Sequence, residues 1–176
     1  MIISIEEARR FVDTKETDQA LGDRLQALEC MIRSYTHNNF QQRAFRSVAD
    51  VVNGEIKIRT NAHVFRPGDT IEISDSSWNN GLYFISAIED DTAVCEGSFI
   101  DEKGVLITKV AYPADVVMGV LNMLKWDLSN RSKVGIKSET LSRHSVTYYD
   151  MDSTNSAAGY PKSLLGFLRP YMKARF

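Results

Sequence analysis

The chain has 176 residues, 43% hydrophobic and 25% charged, with a formal net charge of -2 and a pI of about 5.9. That length suffices for one or two small domains, and the slight acidity argues against a protein that wraps nucleic acid nonspecifically, because phosphate binding needs a surplus of Lys and Arg. No segment reaches the roughly 18 apolar residues of a membrane span, and MIISIEEARRFV has early acids and no signal-peptide apolar run, so a soluble, intracellular protein is expected.

Ser4-Ile5-Glu6-Glu7 reads as a capping box that opens a short helix running to about Val12. Thr17 is the N-cap of a second helix, in which Leu21, Leu25, Leu28, Ile32 and Tyr35 step by 4, 3, 4 and 3 down one face. His37-Asn38-Asn39 ends it. From about Gln41 to Val110 the period changes to two. Residues 54–59, 70–74, 82–85, 92–95 and 105–108 alternate or run apolar between turns at Gly54, Gly68 and Asn79-Asn80-Gly81, which predicts five or six short strands in a small antiparallel barrel or sandwich. Pro113 opens a helix with Val117, Val120, Leu121, Leu124 and Leu128 on one face. Pro161 opens a last one, which Pro170 closes or kinks. The expected fold class is therefore α+β: a small helical bundle of about four helices plus a β ribbon (residues 1–40 and 111–176), interrupted by an inserted β module (residues 41–110).

The ribbon, VGIKSETLSRHSVTYYD at 134–150, carries the vocabulary of a hydrolase. A Ser-His-Asp relay needs its members within hydrogen-bond reach. Ser142 and His144 share a strand face, but Asp150 lies six residues beyond His144, about 20 Å along a strand. Glu139 is the other acid that a hairpin brings near, and no Gly-x-Ser-x-Gly elbow surrounds either serine. A hydrolase at His144 is the weakest functional reading. Metal binding fares no better: His37, His63 and His144 are far apart, and Cys30 and His37 stand two helical turns apart, about 10 Å. Cys30 and Cys95 have no knuckle or disulfide spacing and read as two buried thiols. No cofactor is implied.

Phe45, Phe65, Trp78, Tyr83, Phe84 and Phe99 make a nucleic-acid-binding barrel the alternative reading. Against it, Glu72, Asp75, Glu89, Asp90, Asp91, Glu96, Asp101 and Glu102 crowd the same module. Two basic spots remain. One is Arg131, Lys133 and Lys137 beside the ribbon. The other is Lys162, Arg169, Lys173 and Arg175 near the C-terminus, where Tyr171, Met172 and Phe176 add the mix enriched at protein interfaces. Paired as 134–140 with 143–149, the ribbon has no apolar face of its own. A lone hairpin of that kind is marginal in water, so it lies on the helices or completes itself on another subunit.

The order of SIEEARRFV, DRLQALECMIRSYTHNNF, YPADVVMGVLNMLKWDL, the ribbon and YPKSLLGFLRPYMKARF resembles the head–tail connector (portal adaptor, head-completion) proteins of long-tailed double-stranded DNA phages. The resemblance covers both ends of the chain and rests on the order of the pieces; no single piece is diagnostic. It implies a non-enzymatic virion subunit, made in the host cytoplasm and placed at the head–tail interface. Its copies would form a ring, commonly of twelve, beneath the portal protein. The ring would extend the DNA channel without binding DNA specifically and receive the stopper or tail proteins. It further implies a portal-binding tail at Tyr171, Lys173, Arg175 and Phe176, and an inter-subunit or channel-facing ribbon at Lys137, Glu139, Arg143, His144 and Tyr148. The inserted β module departs from the short members of that family.

Overall fold

The computed structural model describes residues 2–131, 138–141, 144–147 and 154–174, with the backbone alone for the strands at 138–141 and 144–147. The chain divides into two compact units: Met1–Ile2 with Asn39–Tyr112, and Ile3–Asn38 with Pro113–Phe176.

In the first unit, six strands close into an antiparallel barrel: β1 (Gln41–Val52), β2 (Glu55–Ile58), β3 (Thr70–Ser74), β4 (Gly81–Glu89), β5 (Thr92–Cys95) and β6 (Glu102–Val110), ordered β1-β2-β5-β4-β3-β6 with β6 returning to β1. Alternation decides which side chains enter. Ile56 and Ile58, Ile71 and Ile73, and Val105 and Ile107 point inward around Phe65, all at most 1% exposed. Each such side chain contributes about 1.5–3 kcal/mol on burial. The turn from β1 to β2 uses Asn53 (φ 54) and Gly54 (φ 82), the two positive angles of a tight hairpin, with Val52 opposite Glu55. Strand β1 slips register against β6 twice, between Gln41 and Arg46 and between Ala49 and Asp50. The first slip leaves extra residues on β1 and the second leaves Gly104 (φ 78) as the extra residue on β6, and each adds to the bend of the pair. At the unit's entry, Gln41 lies opposite Val110, and Ala111 N donates to Phe40 O at 3.1 Å.

The second unit holds α1 (Ile5–Phe11), α2 (Asp18–Thr36), α3 (Ala114–Asn130) and a 3-10 helix, Lys162–Tyr171. The capping box forms: Glu7 N donates to Ser4 Oγ at 3.2 Å, while Ser4 N donates to the Glu7 carboxylate at 3.3 Å. Thr17 Oγ1 accepts from Ala20 N at 3.2 Å. Leu21, Leu25, Leu28 and Ile32 are buried, and His37 ends α2 in the left-handed conformation (φ 52) with its N–H on Arg33 and Ser34 carbonyls. Strands β7 (Ser138–Leu141) and β8 (His144–Thr147) pair with Leu141 opposite His144, and a short β9 (Ser156–Ala157) pairs with β10 (Tyr160–Pro161).

The expected fold class needs correction. The chain is not a helical bundle with an insert, because its main element is the six-stranded antiparallel sheet, and only the broad label α+β remains compatible. Two local readings explain the error. The polar first half of β1 (Gln41-Gln42-Arg43) hides a twelve-residue strand. The segment after Pro161 holds Gly166 and Pro170 and winds as a 3-10 helix. Cys30 is also not a buried thiol: it is exposed on α2, whereas Cys95 is buried and its thiol is pushed up to about 12 by that burial. A thiol reagent at neutral pH is therefore expected to modify one cysteine of the native chain rapidly and the second only in denaturant. Cys30→Ser should remove the fast phase; two fast thiols would contradict the buried position of Cys95.

Gly119 on α3 meets the Phe167 ring of the 3-10 helix so closely that a Cβ would overlap it. In an exposed helix, Gly→Ala stabilises by about 1 kcal/mol. Here overpacking reverses the sign, and Gly119→Ala should lose about 1–3 kcal/mol in urea unfolding. Adding Phe167→Leu should restore part of that loss, which separates the steric cause from a general weakness of α3.

Candidate functional site

Two constructions in the second unit bear on the ribbon and the tail. The first lies at the ribbon's base. Asp127, near the end of α3, is only 7% exposed. Its Oδ2 accepts from the Tyr160 hydroxyl at 2.6 Å, and its Oδ1 stands 2.5 Å from Arg131 NH2, one helical turn on. The Arg131 approach is an ion pair without hydrogen-bond alignment, since no hydrogen bond satisfies Oδ1. The tyrosine therefore holds the carboxylate. Burial first, and then the hydrogen bond to Asp127, push the Tyr160 hydroxyl well above its ordinary range and keep it a donor.

The Arg131 guanidinium lies over the rings of Tyr160 (4.8 Å) and Trp126 (5.5 Å), and Arg131 NH1 donates to Gly159 O at 3.2 Å. Ala158 (φ 51) and Gly159 (φ 77) form the turn that carries Tyr160 into this position. The result is a clamp. Residues on either side of the ribbon, Arg131 before it and Gly159-Tyr160 after it, are fastened to one another, and the β7–β8 pair lies between them in the chain. On α2, Arg24 pairs with Glu16 at 2.7 Å, and Asp127 and Tyr160 add to the field that holds its charge.

The second construction is the C-terminal segment. Leu165 and Leu168 of the 3-10 helix are buried, with Phe167 against Gly119 of α3. The Tyr171 hydroxyl lies 2.7 and 2.9 Å from the two oxygens of Asp115, and that hydrogen bond raises its pKa. Asn38 Nδ2 donates to Tyr171 O at 3.1 Å, and Lys173 N donates to Thr36 O at 2.8 Å. The main chain is thus held to the end of α2, while Met172 (50% exposed) and Lys173 project their side chains outward.

Of the residues singled out in the sequence, Tyr171 is engaged within its own unit and Lys173 is exposed. Arg175, Phe176, Lys137, Arg143 and Tyr148 lie outside the described residues. Glu139 sits opposite Val146 and His144 opposite Leu141, with their side chains likewise outside the description. Arg131, grouped in the sequence with the cations Lys133 and Lys137, belongs to the clamp. Sequence reasoning missed Asp127, Trp126 and Tyr160. An acid and an arginine at i, i+4 beside a tryptophan was the available signal, but its partner Tyr160 is 33 residues away.

Among the described residues, no group of three or more His, Cys, Asp or Glu is placed to hold a metal ion, and no helix is long and apolar enough to cross a membrane. No protein-family model matches the chain, and no curated protein matches it.

Removing the Tyr160 hydroxyl strands a buried carboxylate, so Tyr160→Phe should cost about 1–3 kcal/mol in urea unfolding. Arg131 is 42% exposed at its side chain, so its pairing is screened, and Arg131→Gln should cost less, about 0.5–1 kcal/mol. A larger loss for Arg131→Gln than for Tyr160→Phe would mean that the ion pair, and not the tyrosine, carries the clamp.

Proposed function

We propose that the chain is a structural assembly subunit, a head–tail connector of a long-tailed double-stranded DNA phage. It forms a ring beneath the portal, extends the DNA channel and offers the docking surface for the next connector or tail protein. The observation that carries the reading is the treatment of the C-terminal segment. Its backbone is tied to α2 through Lys173 N and Tyr171 O, while the side chains of Met172 and Lys173 stay outside. A segment fastened by its main chain and exposed by its side chains is built for display, and a basic, apolar display suits a protein partner. The clamp at Asp127, Arg131 and Tyr160 supports the same reading, because it fastens together the residues that precede and follow the ribbon in the chain. A formal net charge of -2 is compatible with a channel that DNA passes through without being held.

The nucleic-acid-barrel alternative draws chiefly on Trp78 and Phe45, the two most exposed of those rings. Phe65 is in the barrel core, Tyr83 and Phe99 stack on one another at 4.7 Å, and Phe45 stands at a bulge of β1. These rings do not form one stacking surface.

Mixing the chain with its cognate portal protein is expected to give a stable complex in which rings are seen by electron microscopy. Lys173→Glu combined with deletion of 174–176 should weaken that complex by about tenfold or more, the scale of a lost interface anchor. The truncation leaves the Tyr171–Asp115 bond intact, so unfolding is not its cause. Absence of any complex with the portal, together with normal particle assembly by the truncated chain, would refute the connector reading.

A further inference from the structure

Three loops meet at one end of the barrel and present its exposed apolar groups: Val52 (40% exposed) beside the β1–β2 turn, Trp78 (71%) between β3 and β4, and Ile100 (56%) between β5 and β6. The loops are joined by hydrogen bonds. Asn79, itself buried, donates to Ile100 O at 2.8 Å and accepts from Ile100 N at 2.9 Å. Asp101 Oδ1 accepts from Asn53 N at 2.8 Å.

Glu102 organises the middle loop. Its carboxylate accepts from Ser76 Oγ at 2.5 Å, Ser77 N at 2.7 Å and Asn79 Nδ2 at 3.1 Å, and the Ser76 hydroxyl in turn accepts from Trp78 N at 3.1 Å and Asn79 N at 2.6 Å. The Ser76 hydrogen bond foremost holds the Glu102 carboxyl below its ordinary range. A tryptophan left in water on a loop that is already fixed loses little freedom on binding, which is the condition for an interface anchor.

The charge around these groups selects the occupant. The three loops, residues 52–55, 75–80 and 96–103, carry Glu55, Asp75, Glu96, Asp101 and Glu102 against the single cation Lys103. Phosphate backbones and anionic lipid surfaces are repelled by such a rim. A second copy docking rim to rim would bring carboxylates against carboxylates. We propose that this rim is a docking site for a protein segment that presents Arg or Lys on either side of an apolar side chain. The apolar side chain covers Trp78 and Ile100, and the flanking cations meet Asp75, Glu96 and Asp101. The site lies wholly within the barrel and does not depend on the connector reading.

The test uses the full chain and a fluorescein-labelled peptide, Arg-Leu-Lys-Phe-Arg-Leu-Lys, read by anisotropy. Three control probes accompany it: the same peptide with Ser at the apolar positions, the same peptide with Glu at the basic positions, and an oligothymidylate. Saturable binding of the basic apolar peptide is expected. It should weaken about tenfold on Trp78→Ser and clearly in about 0.5 M NaCl, with Trp78→Phe retaining most of it and Asp75→Asn with Glu96→Gln losing part. Binding of the oligothymidylate that depends on Trp78 would overturn the proposal in favour of nucleic acid. Self-association that Trp78→Ser abolishes would overturn it in favour of a second copy. Peptide binding indifferent to both Trp78→Ser and Ile100→Ser, or no binding at all, would dismiss the rim as a docking site.

Discussion

Closure of the barrel rests on β1. The longest of the six strands, it holds β2 along one side and β6 along the other, and without it both neighbours become open edges. Twelve residues of straight strand would run about 40 Å and could not follow so small a barrel. The extra residues of β1 between Gln41 and Arg46 supply the bend, and Gly104 on β6 adds to it. The position of everything else in the unit follows. The C-terminal end of β1 delivers Val52 and Asn53 to the rim, where Asp101 catches the backbone. The N-terminal end sets Gln41 beside Val110, where the chain enters and leaves.

The two units hold their functional segments by different means. In the barrel, a carboxylate gathers backbone and side-chain donors from one loop, so Glu102 shapes the chain around itself. In the helical unit, buried Asp127 has one oxygen satisfied by a tyrosine hydroxyl, and the other meets a stacked, partly exposed arginine as an ion pair alone. Buried charge of this kind is a costly way to stabilise a fold, since a well-packed apolar substitute often does as well. Its effect here is geometric. The carboxylate meets Tyr160 and Arg131 together, so residues 131 and 160, which precede and follow the ribbon in the chain, are held to one another.

Local chemistry was legible in the sequence. Ser4 and Glu7, Thr17, the Leu21-Leu25-Leu28-Ile32 seam and the turn at Gly54 each depend on neighbours within a few residues, and the structure has them as the spacing dictates. What escaped was set by distant partners. Asn79 reads as a turn residue, yet it is buried because Ile100 offers both a donor and an acceptor 21 residues away. Tyr160 reads as part of a proline-led helix start and is instead the partner of Asp127. The length of β1 was hidden because polar residues on a bulge do not alternate. Cys30 faces water because the buried stripe of α2 passes through Leu28, Glu29 and Ile32. The balance of fold class was misjudged for the same reason: helical periodicity is visible in a short window, whereas a closed sheet is a property of all six strands at once. For the tail, the residues were visible in the sequence, and the geometry added the main-chain hydrogen bonds of Tyr171 and Lys173 that hold it to the end of α2.

The hydrogen bond from Ala111 N to Phe40 O ties the two ends of the barrel together. The barrel begins and ends on adjacent strands, so its first and last residues share one seam, and a substitution that loosens either junction loosens the other.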